Sequence, residues 1–289
     1  MNDRIYITEC PRDAMQGIKQ MIPAELKAKY LNRLLKCGFD RLDFGSFVSP
    51  KAIPQMADTV EVLKKLDLDG TNTKLLAIVA NKRGAEDATQ FDEISFLGYP
   101  FSVSPTFQKR NVNQTLEESL SLVEEMQNLT EKKGKKLLVY LSMAFGNPYG
   151  DRWSPELVVE WALKISSLGV KHLALADTVG CSDKENISPL FRLVSNELPS
   201  VTVSAHLHST PQTAKEKILA AIDSGCRYFD GALKGYGGCP MAKDTLTGNI
   251  ATETILECAT EKNLKHGVNF DELSNALELT NEIFNQYHS

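Results

Sequence analysis

The chain has 289 residues, 42% hydrophobic and 24% charged, with a formal net charge of −5, a composition that supplies enough apolar material for one large α/β core. An acidic balance without a basic run or a basic-aromatic stripe excludes nucleic acid as an expected partner, and no apolar run reaches membrane-spanning length. The opening Met1-Asn2-Asp3-Arg4-Ile5 enters strand-like sequence directly, without a secretory apolar region or an Arg/Ser-rich transit segment, so a cytoplasmic location is expected. The six cysteines show no Cys-x-x-Cys spacing, which argues against a zinc ribbon or a redox pair.

Along the chain, short apolar runs alternate with longer amphipathic ones. A strand is expected at 4–8 and a helix at 24–36. The pattern continues with a strand at 41–44 and a helix at 50–66, then 74–80 with 84–89, 93–96 with 116–133, and 136–142 with 155–168. It ends with a strand at 172–176 and a helix at 187–198, 202–207 with 211–224, and 228–231 with 250–262. Ser154-Pro155-Glu156 places a capping serine before a proline in the first helical turn, and Thr115-Leu116-Glu117-Glu118 reads as another helix start. Eight strand–helix units without a linker imply a single-domain (β/α)8 TIM barrel over 1–289, with roughly 264–289 as a C-terminal helical extension. A doubly wound open sheet is the rival, but no Gly-x-Gly-x-x-Gly follows the first strand.

In such a barrel the chemistry belongs at the carboxyl ends of the strands. Arg12 and Asp13 fall there after the first strand, Asp43 near the end of the second, Asp177 after the sixth, His206 and His208 at the seventh, and Cys239 and Asn249 after the eighth. His206 and His208 are two apart, so on one strand both imidazoles face the same way. With Asp13 and Asn249 they form a mixed N/O set suited to Mg²⁺ or Mn²⁺; the bland alternative is a pair of hydrogen-bonded structural histidines. Arg12 could steady a developing oxyanion or simply form a salt bridge. Cys239, in Gly235-Tyr236-Gly237-Gly238-Cys239-Pro240, is either a loop cysteine or a thiol acid carried on a glycine-rich loop.

The segments Glu9-Cys10-Pro11-Arg12-Asp13, Ser46-Phe47-Val48-Ser49-Pro50-Lys51, Asp177-Thr178-Val179-Gly180, His206-Leu207-His208 and Gly-Gly-Cys-Pro, in this order, resemble the hydroxymethylglutaryl-CoA lyase family of the DRE-TIM metallolyases. The resemblance implies a divalent cation on Asp13, His206, His208 and Asn249, with Arg12 on the enolate oxygen and Cys239 as the proton donor. It further implies that Glu9, Asp43 and Asp177 complete a polar rim, that Lys19, Ser46 and Lys51 meet an acyl-CoA, and that the enzyme is a homodimer. The implied reaction is retro-Claisen cleavage of 3-hydroxy-3-methylglutaryl-CoA. The alternatives are a lyase for another 3-hydroxyacyl-CoA, a Claisen-condensing relative and a non-catalytic acyl-CoA-binding barrel.

The chain departs from the family pattern at Ala14-Met15, at Ser209 and in a longer Cys239–Asn249 loop. It also has Asp43 where the family has glutamate. An acid shorter by one methylene, roughly 1.5 Å, is expected to reach Arg12 only if its surroundings move inward or a water bridges the gap.

Overall fold

A computed structural model describes residues 3–237 and 247–287. Eight parallel strands close into a barrel: β1 (Tyr6–Glu9), β2 (Arg41–Ser46), β3 (Lys74–Ile78), β4 (Ile94–Ser102), β5 (Lys136–Ser142), β6 (His172–Ala176), β7 (Thr202–His206) and, after a short β8 (His208–Ser209), β9 (Tyr228–Gly231). Closure comes from β9 pairing back on β1, with Tyr6 opposite Tyr228 and Glu9 opposite Gly231. Helices cover the outside, so the strands are buried on both faces and read as nearly continuous apolar runs. Leu76, Ile78, Phe96, Leu138, Tyr140 and Ala174 fill the barrel interior. Their sequence neighbours Leu75, Ala77, Leu97, Leu137, Val139 and Leu173 join the core shared with the helices.

The helices are α1 (Pro11–Met15), α2 (Ala24–Lys36), α3 (Thr59–Leu63), α4 (Lys82–Ala88), α5 (Pro105–Val112), α6 (Leu116–Lys132), α7 (Pro155–Ser167), α8 (Lys184–Glu197), α9 (Pro211–Asp223), α10 (Thr252–Glu261) and α11 (Phe270–Gln286). The expected caps form: Ser154 accepts from the Leu157 N–H, and Thr115 and Glu118 make a reciprocal capping box. Helix α11 lies against α2 through Leu273, Ala276, Leu279 and Ile283, a spacing that keeps one face apolar. Its Phe284 ring stacks on Tyr236 with centroids 4.1 Å apart.

The local differences from expectation have identifiable causes. Strand β4 runs on to Ser102 through Gly98 and Pro100, residue types that ordinarily interrupt strands, with Pro100 in register opposite Tyr140. The helix expected at 50–66 is a 3-10 turn at Pro54–Met56 followed by α3. Helix α5 was not anticipated, although Ser104-Pro105 starts it as Ser154-Pro155 starts α7. Arg12 and Asp13 sit on the single turn of α1, where Pro11 occupies the first helical position, rather than on a loop.

Candidate active site

The two histidines do not share one strand. Strand β7 ends at His206, and His208 begins β8, which pairs antiparallel with β10 (Gly248–Asn249) so that Asn249 stands directly opposite His208. The imidazole centroids are nevertheless 5.2 Å apart. Helix α1, which follows β1 two strands along from β7, delivers Asp13, and ligand atoms of Asp13, His206 and His208 all lie within 4.8 Å of one another. Asn249 Nδ2 donates to Asp13 Oδ2 at 2.7 Å and to the Tyr236 carbonyl at 2.9 Å, which leaves its Oδ1 as the amide's ligand atom.

The electrostatics prepare this group for a cation. Burial opposes ionisation of Asp13, but Arg12 and the two imidazoles outweigh it and hold the carboxyl below its ordinary range. Burial and the neighbouring His206 push His208 down, keeping it neutral. His206 is lifted despite its burial, because Asp230 accepts from its Nδ1 and adds a negative charge. His208 Nδ1 faces the Thr247 carbonyl at 3.3 Å. Each imidazole thus spends Nδ1 on a protein acceptor and has Nε2 left for a metal. One carboxylate, two imidazoles and an amide oxygen form a donor set that fits a divalent cation of the Mg²⁺/Mn²⁺ kind.

Arg12 is buried beside this cluster. Its Nη1 donates to Asp13 Oδ1 at 3.1 Å and Gln16 Oε1 at 2.9 Å, while Nε and Nη2 grip Asp43 at 2.5–3.1 Å. Of the two routes expected for Asp43, a bridging water is therefore not needed: the shorter acid touches Arg12 directly. A bulge displaces the β2–β3 register between Asp43 and Gly45, the kind of irregularity that re-aims side chains beside active sites. Burial lifts the Asp43 carboxyl to about 6 although Arg12 opposes the rise, so it is ionised at neutral pH.

The other expected residues lie elsewhere. Glu9 is buried on the outward face of β1, where it accepts from the Leu233 N–H at 2.8 Å and the Thr252 hydroxyl at 2.5 Å. Strand alternation points its neighbours Thr8 and Cys10 inward instead. Asp177 is held by Lys217 at 3.0 Å and by the Ser182 hydroxyl and N–H; Lys217 also donates to the His208 carbonyl, so the pair supports the backbone of β8. Ser46 accepts from the Val48 N–H at 3.2 Å and shapes the turn after β2. Lys19 and Lys51 are exposed. Lys51 adjoins Ala52 and Ile53, which line the cleft over the cluster, and Lys19 follows Gln16, which also lines it. Cys239 lies outside the described residues.

The sequence reading missed Gln16, Asp230, Tyr140 and the wall supplied by α5. Beyond the charged end, the cleft is walled by Val48, Ile53, Ile78, Phe107 and Val112, with Asn111 and Thr178 as polar points. The Ser104-Pro105 cap signal could have located α5. Nothing local in sequence points to Asp230, which meets His206 only through the pairing of β7 with β9.

Comparison with known proteins agrees with this arrangement. The HMGL-like family model matches residues 4–280. Rat mitochondrial hydroxymethylglutaryl-CoA lyase is 33% identical over 277 residues, covering 94% of this chain and 83% of that protein. The crystal structure of the Bacillus subtilis HMG-CoA lyase superposes with a TM-score of 0.91 at 29% identity, covering 99% of this chain and 96% of that one. An Acinetobacter baumannii HMG-CoA lyase in complex with coenzyme A and 3-methylmalate superposes with a TM-score of 0.90 at 28% identity, covering 98% and 92%.

Proposed function

The chain belongs to the HMGL-like family, and on that premise we propose that it is a divalent-metal-dependent hydroxymethylglutaryl-CoA lyase, cleaving 3-hydroxy-3-methylglutaryl-CoA to acetoacetate and acetyl-CoA. The observation that carries the reading is the convergence of Asp13, His206 and His208 beside a buried Arg12 at the mouth of the barrel. Mg²⁺ or Mn²⁺ is the cofactor, held by these three residues and Asn249. When bound, it supplies Lewis-acid polarisation of the substrate's hydroxyl and carboxylate oxygens.

The protein's own groups account for the rest. A basic side chain of the cluster takes the tertiary hydroxyl proton as the bond between C2 and C3 breaks: C3 becomes the ketone of acetoacetate and the electron pair passes into the thioester enolate. Arg12, fixed by Asp43 and Gln16, stabilises the enolate oxygen. Cys239 gives a proton to the enolate carbon, completing acetyl-CoA. The apolar walls exclude water from the carbanion, and Lys19 and Lys51 serve the CoA moiety at the rim. The chain works as one catalytic unit in a homodimer.

The test is direct. Purified protein stripped by chelator and resupplied with Mn²⁺ should release acetoacetate from hydroxymethylglutaryl-CoA only in the reloaded state. Equal turnover without metal would remove the reading. Cleavage of a bulkier 3-hydroxyacyl-CoA in its place would reassign the acyl group.

A further inference from the structure

We infer that Asp230 is the positioning residue of the metal centre: its carboxylate fixes the tautomer and ring plane of His206, so that the unprotonated Nε2 is aimed at the cation. The inference rests on the metal reading above but on a residue outside its ligand set. Asp230 lies on β9 directly across from His206 on β7, and its Oδ2 is 3.2 Å from His206 Nδ1. A carboxylate accepts only, so the proton of that bond belongs to Nδ1 and the lone pair to Nε2. Asp230 is 2% exposed, so water does not compete for the contact. Metal-bound histidines are commonly oriented by such a carboxylate on the second nitrogen.

One further contact restricts the same imidazole. Tyr140 meets His206 edge-on with ring centroids 5.3 Å apart, so the ring is held by packing on one side and by Asp230 on the other. Asp230 Oδ1 and the Tyr140 hydroxyl are both buried without a hydrogen-bond partner in the described residues.

The test compares Asp230→Ala and Asp230→Asn with Thr8→Val. Thr8 is the buried neighbour opposite Asp230 on β1, its hydroxyl without a partner among the described residues, so its loss reports on packing. Mn²⁺ affinity, read by electron paramagnetic resonance, should fall roughly 10–100-fold in Asp230→Ala. It should fall less in Asp230→Asn, which keeps an acceptor without the charge, and stay unchanged in Thr8→Val. In the metal-free protein at alkaline pH, ¹⁵N spectra of labelled histidine, assigned by the signal lost in His206→Gln, should show His206 protonated at Nδ1. That preference should disappear in Asp230→Ala. A folded Asp230→Ala with parental Mn²⁺ affinity and an unchanged tautomer overturns the inference; if alanine prevents folding, parental affinity in Asp230→Asn does so. Because the tautomer is read without metal, a parental protein that binds no Mn²⁺ would remove the metal reading separately.

Discussion

At the scale of single residues, Asp43 and Glu9 separate what looks alike in sequence. Both are buried acids on neighbouring strands, yet one faces the chemistry and the other faces the helices. Asp43→Asn keeps the shape but leaves the Arg12 guanidinium without its counter-charge, and should lower kcat by about 10²-fold, the scale of an ångström-level misplacement of a catalytic group, with Mn²⁺ affinity nearly unchanged. Asp43→Glu should also lower kcat, because the direct Asp43–Arg12 contact leaves no gap for another methylene. Parental activity in either variant, measured by acetoacetate release, would show that Arg12 does not depend on Asp43. Protonation of Asp43 as pH falls through about 6 should likewise release Arg12, giving kcat an acid limb that Asp43→Asn lacks. For Glu9, burial raises the carboxyl from 4.5 to about 8. The folded state therefore holds a proton that the unfolded chain has lost, so Glu9 costs stability progressively as pH rises from 4.5 to about 8, and by a constant amount above. Glu9→Gln should unfold at a higher temperature than the parent at alkaline pH, lose that advantage in acid, and retain lyase activity. An inactive but folded Glu9→Gln would restore Glu9 to the catalytic set.

Among the elements, the short ones do the positioning. The single turn of α1 carries Arg12 and Asp13, and the two-residue ladder of β8 with β10 brings Asn249 opposite His208. The segment between them is pressed close. Gly237 has φ +94°, and a Cβ there would stand 2.7 Å from Ala14 Cα and 2.8 Å from both the Asp13 carbonyl and Asn249 Nδ2. The glycine-rich turn was readable as mobile, but at this position glycine is required by close approach and by a backbone conformation that side chains disfavour. Gly237→Ala should push α1 and Asn249 apart and weaken Mn²⁺ binding by at least tenfold, an effect near 1.4 kcal/mol. An unchanged affinity in the titration would show that the segment yields without moving the ligands. The longer helices were easier to read, since their caps and apolar periodicity are local. Helix α5 and the broken segment at 50–66 were not, because proline starts one helix and interrupts another with the same side chain.

For the molecule as a whole, the proposed ligands for the cation come from β7, β8, β10 and α1, which only the closed barrel brings together. Binding a cation to the native state alone should therefore stabilise all of it. Mn²⁺ at about a hundred times its Kd contributes about 2.7 kcal/mol, enough to raise Tm by roughly 4–5 °C in a domain of this size. His208→Ala should abolish that shift while leaving the metal-free Tm close to the parent's; a full shift in that variant would move the cation elsewhere. Alternating strand and helix periods were enough to establish an α/β chain of eight units, because each unit's burial pattern is written within a dozen or so residues, while closure into a barrel is shown by β9 pairing on β1. The same local signals, with the family resemblance, singled out Arg12, Asp13, His206, His208 and Asn249, which the fold brings to one end of the barrel. Which face of β1 carries Glu9, how Asp43 reaches Arg12, and that Asp230 stands behind His206 depend on strand register, a bulge and the closure of β9 on β1. Those are contacts between residues far apart in the chain, set by the packing of the whole barrel.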